Sequence, residues 1–295
     1  MLGYDSVLAA LDSWEAQSCR DQLEIVILCP TPVEVGLLPP GQVVIVTGSL
    51  LLHQARALGI LQASADYVTL AEDHCLPDKC WAQAVLDRLA EGWDAVGPAL
   101  RPGNLTTNWA QASFLLGYGQ WMSPVVGGPA SVMPGLTAGL RKKPLVELGP
   151  ALERDLLVAA FLMRRLQGQG QRFYLEDRAT MRHFDPPGWK KDIRIYYSAG
   201  MGFGALRTSG WPRAGRALYW LAMPAIAARH WGRALTHYRR AGAQAGLSPF
   251  CLLAAALLAL AWACGESIGA PMGVARSAPF MAFAEIKPVA RSEVW

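Results

Sequence analysis

The sequence has few charged residues and no closely paired cysteines. Of its 295 residues, 17% are charged and 52% are hydrophobic, whereas a typical water-soluble domain is about 25% charged. This length and apolar content are enough for one large core or two small ones, which excludes a disordered chain, a collagen-like chain and a small disulfide scaffold. The low charge indicates that part of the chain contacts something other than water, and a membrane surface is the first candidate.

Neither a disulfide framework nor a signal peptide is indicated. No CxxC pair is present, and the separation of Cys75 and Cys80 does not match a zinc knuckle. The first residues lack the basic start of a secretory signal and soon include acids. We therefore expect reduced thiols and a protein that stays in the cytoplasm.

Charge divides the sequence near Trp189. Residues 1–189 contain 14 basic and 19 acidic residues, whereas residues 190–240 contain ten basic residues and the single acid Asp192. The change follows the breaker Pro186-Pro187-Gly188 and predicts one domain at 1–189 and a second region at 190–295. Basic clusters that alternate with an apolar run at 217–228 are typical of helices on anionic lipid. Nucleic-acid binding is disfavoured because the arginines alternate with aliphatic runs rather than stacking aromatics.

Residues 247–264 form an uncharged apolar run that ends shortly before Glu266. The run is 18 residues long, and about 20 residues are needed to cross a bilayer, so a single membrane helix would be marginal. A re-entrant or interfacial helix and a buried core helix are the alternatives. The basic segment upstream favours membrane insertion of some kind over burial in a soluble core.

The first half of the chain alternates short β-rich runs with helical patterns. The predicted strands cover residues 23–28, 42–46, 66–70 and 93–96, and the clearest predicted helices cover 49–62 and 80–91. This alternation predicts an α/β sheet with helices on its faces. Because ligands collect at the carboxyl ends of strands in such sheets, Thr31 and residues 71–74 are candidate ligand contacts.

The triplet Glu72-Asp73-His74 is the most informative motif. At the end of a strand, residues i and i+2 lie on the same side, so Glu72 and His74 can hold a divalent cation against a diphosphate. The alternative is an acidic turn that caps a helix beginning near Pro77, and the residues taken alone fit it slightly better.

From residue 7 to about 240, the chain resembles the family 2 glycosyltransferases, which are inverting enzymes of the GT-A fold. The resemblance lies in the order and spacing of several segments taken together, among them ARALGILQASADYVTLAEDHCLPDKCWAQAVLDRL, with its helix, strand and acidic motif, and the later LQGQGQRFYLEDRATMRH. The resemblance implies a GT-A-like mixed sheet flanked by helices and followed by a helical, membrane-associated C-terminal region. It also implies a nucleotide-sugar donor and a divalent cation, Mg²⁺ or Mn²⁺.

The resemblance also suggests which residues form the site. The metal-diphosphate would be engaged by Glu72, Asp73 and His74, and the late histidine of the family matches His183. Arg56 matches a helical arginine near the nucleotide, although a lone helical arginine is commonly a solvated surface charge, and His183 could equally cap a strand. Three aromatic residues are candidates either for an acceptor platform or for core positions: Trp109, Tyr118 and Trp121.

Two departures from the family pattern bear on catalysis. The family begins with a strand and a polar turn that hold the nucleobase, and this sequence starts after that point, at residues 1–5, so we interpret its first domain as N-terminally incomplete. The base that deprotonates the acceptor would fall near residues 158–159, where this chain has no acid. The nearest candidates are Glu153 and Asp155; a helix with its acids on the solvated face explains them equally well.

The expected function is therefore transfer of a sugar from a nucleotide-sugar to a lipid-linked or cell-surface polysaccharide acceptor at the cytoplasmic face of the membrane. The alternative is a catalytically degenerate, GT-A-like binding or scaffold protein at the membrane. The absence of the first strand and the displaced base favour the alternative. Either protein would contact an anionic membrane surface.

Overall fold

The structure, a computed structural model, describes residues 7–32, 41–185 and 188–285. Residues 1–5, where the sequence begins relative to the family pattern, and the breaker residues Pro186 and Pro187 lie outside the described residues. The described chain forms two compact units, one with residues 7–99 and 125–182 and the other with residues 100–124 and 183–285. The predicted boundary at residue 189 stays a prediction.

The first unit contains most of the strands. The eight strands of the described chain are β1 Ile25–Cys29, β2 Gln42–Val46, β3 Tyr67–Thr69, β4 Cys75–Pro77, β5 Ala95–Pro102, β6 Gly128–Ala130, β7 Gly139–Arg141 and β8 Phe173–His183. The helices of this unit are α1 Leu8–Glu15, α2 Leu52–Gln62, α3 Trp81–Ala90, α5 Lys142–Glu147, α6 Pro150–Leu156 and α7 Ala159–Gly168. Strands β5 and β8 continue past the end of the first unit, so His183 is the last residue of a strand that begins in the first unit.

The strands form two sheets. One is a parallel pair, β1 and β2, and the other has six strands in the order β3-β7-β5-β8-β4, with β6 paired to β8. Strand β7 is antiparallel to both β3 and β5, so strands run in both directions. The helices that follow the strands bury one apolar face each; α3, for example, buries Trp81, Val85 and Leu89 at four-residue spacing.

The predicted architecture is confirmed as a mixed α/β fold with helices around the sheet and an apolar C-terminal helix. All four predicted strands are present. The difference is that the first two form a separate sheet among the described residues. Local patterns predict strands but not their hydrogen-bonding partners, so the division into two sheets could not be anticipated.

A buried carboxylate on β8 ties the sheet to α3. Glu176 is fully buried and accepts hydrogen bonds from Arg88 Nε at 2.5 Å and Arg178 Nε at 2.9 Å. Burial alone would raise the pKa of Glu176, but the hydrogen bonds from Arg178 and Arg88 outweigh it and hold the pKa at about 2. The ionised form therefore stabilises the folded state.

We expect this stabilisation to be complete above about pH 4.5, the ordinary range of a glutamate, and to be lost as the pH falls towards 2. Glu176→Gln should lower the free energy of unfolding at pH 6 by about 2 kcal/mol and flatten its decline in acid. Urea unfolding of the variant and the wild type from pH 6 downwards measures both effects. Glu91→Gln is the matched control, because Glu91 pairs with the same Arg88 but is half-exposed; an equal loss in both variants would contradict the prediction.

The second unit is helical. Its helices are α4 Asn108–Tyr118, α8 Trp189–Arg207, α9 Arg213–Leu218, α10 Met223–His237, α11 Cys251–Met272 and α12 Val274–Glu285. Helices α8 and α11 approach closely through glycines on both partners. A Cβ atom placed on Gly204 would lie 2.0 Å from the Glu266 carbonyl oxygen, and one on Gly265 would lie 2.0 Å from the Tyr197 carbonyl oxygen.

Helix α11 includes most of the predicted apolar run but extends to Met272. The predicted end depended on the charge of Glu266. In the structure this buried carboxylate stays within the helix, because it accepts hydrogen bonds from Tyr219 Oη at 2.5 Å and Trp262 Nε1 at 2.8 Å. Arg207 lies 3.3 Å from the same carboxylate. A charge that is paired inside the fold does not end a helix.

Among the described residues, α11 alone has the length and composition of a membrane-crossing helix. It has 22 residues, and the mean hydropathy of its most apolar 18-residue stretch is 1.9. Half of that stretch is buried against the rest of the chain. Core helices of soluble proteins share these features, so length and composition do not by themselves assign α11 to a membrane.

Candidate metal centre

The acidic triplet lies in the short connection between β3 and β4. Glu72 and His74 are buried, and Asp73 between them is partly exposed. Residues 75–77 form β4, and α3 begins only at Trp81 with no side-chain cap. The triplet therefore does not cap a helix near Pro77, contrary to the alternative that the residues alone favoured slightly.

The late histidine is the last residue of β8, which is the neighbour of β4 in the six-stranded sheet. Directly after β4, the Asp78 amide donates a hydrogen bond to the Thr180 carbonyl oxygen of β8, at 2.9 Å. His183 is fully buried. One ligand atom from each of Glu72, His74 and His183 lies within 4.8 Å of the other two. Glu72 and His74, which are neighbours in sequence, thus meet a distant histidine, and the three form a group that could hold a metal ion.

Both imidazoles are oriented by aspartates. His74 Nδ1 lies 2.6 Å from Asp73 Oδ1, and His183 Nδ1 lies 2.9 Å from Asp185 Oδ2. An ionised carboxylate can only accept a hydrogen bond, so each Nδ1 donates to its aspartate and Nε2 is the candidate ligand atom of each ring. His74 Nε2 faces Glu72 Oε1 at 3.9 Å. Asp73, predicted as a metal ligand, lies outside this group of three and within hydrogen-bond distance of the candidate ligand His74.

An aromatic side chain covers His183. The ring centroids of Tyr118 and His183 are 4.0 Å apart, and Phe114 lies further away at 6.3 Å. The turn after Tyr118 is held by Arg240, which donates hydrogen bonds to the carbonyl oxygens of Gly119 and Met122. Of the three predicted aromatic residues, the structure therefore places Tyr118 against the site. Trp109 and Trp121 are partly buried, on α4 and on the turn after it.

A buried network also supports Asp185. Its second carboxylate oxygen accepts a hydrogen bond from Ser113 Oγ at 2.6 Å, and its backbone amide donates to Asn104 Oδ1. The Ser113 carbonyl oxygen in turn accepts a hydrogen bond from Tyr196 Oη. Sequence reasoning missed Asp185, although its position two residues after a candidate histidine ligand was a usable signal.

The two predicted nucleotide contacts lie on different elements. Arg56 is buried on α2, which does not fit the solvated surface charge considered as its alternative. Thr31 is exposed and follows β1. Their role in nucleotide binding stays a prediction.

The candidate bases occupy α6 and have partners of their own. Asp155 is buried and paired with Arg165 and with Arg154, the latter at 3.1 Å. Glu153 is exposed and accepts a hydrogen bond from Gln54 Nε2 at 2.9 Å. The ion pair of Asp155 explains its burial structurally, because a buried charge requires a partner.

Comparisons with known proteins identify no family. No protein-family model matches the sequence, and no curated protein matches it. Among solved structures, the chain is similar to the crystal structure of GalNAc-T7 with UDP, GalNAc and Mn²⁺, at 14% identity and a TM-score of 0.47. The match covers 63% of this chain and 43% of that chain, so it spans less than half the length of that protein. At this sequence identity and TM-score, the match does not assign a fold, a ligand or an activity to this chain.

Proposed function

We propose that the protein is a metal-dependent glycosyltransferase that moves a sugar from a nucleotide-sugar to a glycan or lipid-linked acceptor at the cytoplasmic face of the membrane. One observation carries the proposal. Of the four residues that the resemblance to family 2 glycosyltransferases names for the metal site, Glu72, His74 and His183 each offer a ligand atom within 4.8 Å of the other two. The basic and apolar C-terminal region supports the membrane location.

The donor set fits a divalent cation. One carboxylate oxygen and two imidazole nitrogens are present, and both rings have a carboxylate at Nδ1, the usual arrangement around metal-bound histidines. Imidazole ligands suit transition metals better than Mg²⁺, which prefers oxygen and keeps its water. We therefore expect Mn²⁺ to be favoured over Mg²⁺ by about tenfold or more.

A bound cation would supply charge neutralisation for a departing nucleoside diphosphate. The residues of the chain have separate tasks. Glu72 contributes the negative charge of the donor set, Asp73 and Asp185 orient the two imidazole rings, and Tyr118 packs against the His183 ring at a tilted angle. The oriented site would bind the diphosphate end of the donor in one position, which favours displacement at the anomeric carbon.

The binding-module alternative is favoured by one observation, the ion pairs of Asp155. A carboxylate held by Arg165 and Arg154 is poorly suited to accept a proton from an acceptor hydroxyl. In that case the protein would bind a metal-nucleotide without transferring the sugar.

Calorimetric titration with UDP and GDP, with Mn²⁺, with Mg²⁺ and without metal, tests the proposal. We expect nucleotide binding that requires metal, is tighter with Mn²⁺, and is lost in Glu72→Gln, which keeps the shape of the side chain but removes its charge. Metal-independent binding, or unchanged binding by the variant, would contradict the metal site. Release of nucleoside diphosphate from UDP- and GDP-sugars then separates the two functions, because a binding module would bind and not release.

A further inference from the structure

The second unit exposes a row of apolar side chains along α10 and the turn before it. Trp220 is 60% exposed and Leu221 is 59% exposed. Ala225, Ala228 and Trp231 follow at three-residue spacing, and all three are exposed. Residues at this spacing lie near one another on a helix, so the exposed apolar atoms form a continuous stripe.

Helix α11 presents a second exposed apolar stripe. Leu253, Leu257 and Leu260 alternate at spacings of four and three residues and are all exposed, with Leu253 at 70%. The opposite side of α11 is buried and packs on α8, where the glycines allow close approach. Helix α11 is therefore covered by protein on one side and bare on the other.

The two stripes join into one surface. Trp231 Nε1 donates a hydrogen bond to the Leu252 carbonyl oxygen at 3.1 Å, which places α10 beside the first turn of α11. We call the joined stripes the apolar surface; its large members are Trp220, Leu221, Trp231, Phe250, Leu253, Leu257 and Leu260. Large bare apolar patches on proteins mark contacts with a partner or a membrane.

The charge of the segments that form the apolar surface is positive, which favours an anionic partner. Between Asp192 and Glu266 the sequence contains eight arginines and no lysine, aspartate or glutamate. Arg213, Arg229 and Arg239 are exposed. A second copy of the chain would bring the same positive charges to the contact, whereas an anionic lipid surface would neutralise them.

The packing of α11 indicates how it meets the lipid. Its buried side rests on α8, which has only twelve uncharged residues, 195–206, between Arg194 and Arg207. This is too short to accompany α11 across a bilayer, because a spanning helix needs about 20 apolar residues. A crossing by α11 alone would separate it from α8 and would leave the buried Glu266 without Arg207 and Tyr219.

We propose that the apolar surface docks into one leaflet of an anionic bilayer, with α11 lying in the plane of the interface and not crossing it. The inference rests on the membrane association within the proposed function and specifies its geometry. Arginines at the border would contact lipid phosphates while the stripes reach the acyl chains.

Binding to vesicles tests the partner. We expect the purified full chain to bind phosphatidylcholine vesicles that contain phosphatidylglycerol and to bind pure phosphatidylcholine weakly. The double variant Leu253→Asp, Leu257→Asp should bind at least about tenfold less, and Arg229→Gln about fivefold less. Val126→Asp is the matched control, because Val126 is 90% exposed in the first unit and should bind like the wild type.

Depth measurement tests the geometry. A bimane label is placed at Leu253→Cys, Leu260→Cys or Ile268→Cys, in a background of Cys80→Ser and Cys264→Ser, and its depth is read by quenching from lipids labelled at different positions. A crossing helix would separate positions 253 and 268 by about 22 Å in depth. In-plane docking predicts the same shallow depth at all three positions.

Three results would overturn the inference. These are no preference for anionic vesicles, a graded depth along α11, and a dimer in sedimentation experiments that is broken by the Leu253, Leu257 double variant. The proposed function is tested independently, since we expect the double variant to keep the Mn²⁺-dependent nucleotide binding of the wild type. Loss of vesicle binding with nucleotide binding intact would separate the two.

Discussion

Replacing His183 with alanine is expected to lower the affinity of the protein for Mn²⁺ by at least about 100-fold. The variant removes one of the three ligand atoms that converge within 4.8 Å and leaves a buried carboxylate and a single imidazole. It also removes the partner of Asp185 and the ring against which Tyr118 packs. Titration of the purified protein with Mn²⁺, followed by electron paramagnetic resonance of the free ion, measures the affinity directly.

Two further variants show whether the loss is specific. Asp185→Asn keeps His183 but alters the hydrogen bond to Nδ1, so Mn²⁺ affinity should fall by about 10- to 100-fold while the fold stays intact. His53→Ala removes a histidine of α2 outside the group of three and should leave Mn²⁺ affinity unchanged. If all three variants bound Mn²⁺ like the wild type, the group would not be a metal site. Thermal melting without metal would reveal a variant that merely fails to fold.

The local elements could be predicted because their signals are local. Strand β2 matches the predicted residues 42–46, and helices α2 and α3 lie within the predicted segments. Alternating or helical apolar patterns depend on a few neighbouring residues. The pairing of strands into two sheets depends on contacts between distant segments, which no single-sequence pattern records.

The sequence predicted which residues form the candidate site, but it did not predict how their side chains are arranged. Glu72 and His74 stood out by spacing, and His183 by its place in the resemblance. Sequence alone could not show that Asp73 would turn to His74 Nδ1, or that Asp185 would do the same for His183. The hydrogen-bond partners of an imidazole depend on the path of the backbone on either side of it.

Asp155 shows the opposite problem. It was selected because it lay nearest to an expected catalytic position. Its partner in the structure, Arg165, lies on the next helix ten residues later and explains its burial without catalysis. The position of Asp155 relative to the expected base could not show that it pairs with an arginine on the next helix.

The close approach of α8 and α11 depends on glycines that are visible in the sequence, although the prediction for this region used only charge and hydrophobicity. Helix α8 has Gly200 and Gly204, and α11 has Gly265 and Gly269, both at four-residue spacing. Small residues at this spacing allow two helix backbones to approach closely. The structure places these two pairs against each other: a Cβ on Gly200 would lie 2.2 Å from the Trp262 carbonyl oxygen, and one on Gly269 would lie 2.0 Å from the Met201 carbonyl oxygen.

Substitution of Gly265 by alanine should therefore lower the free energy of unfolding by about 3 kcal/mol or more. The added Cβ would lie 2.0 Å from the Tyr197 carbonyl oxygen, and backbone cannot move aside as a flexible side chain can. The two helices must separate, which loosens the contacts between them and the hydrogen bonds around Glu266. Alanine favours a helix over glycine by about 1 kcal/mol, so the measured loss is what remains after this gain.

Gly232→Ala is the matched control for Gly265→Ala. Gly232 also lies within a helix, α10, but an added Cβ would meet no atom within 4 Å beyond the neighbouring backbone of its own helix. There the helical preference of alanine acts alone, and the variant should be more stable than the wild type by up to about 1 kcal/mol. Denaturant unfolding of both variants gives the comparison. If α8 and α11 meet backbone to backbone, the free energy of unfolding must fall in Gly265→Ala and rise in Gly232→Ala. A rise in both variants would mean that the helices are not in contact at Gly265.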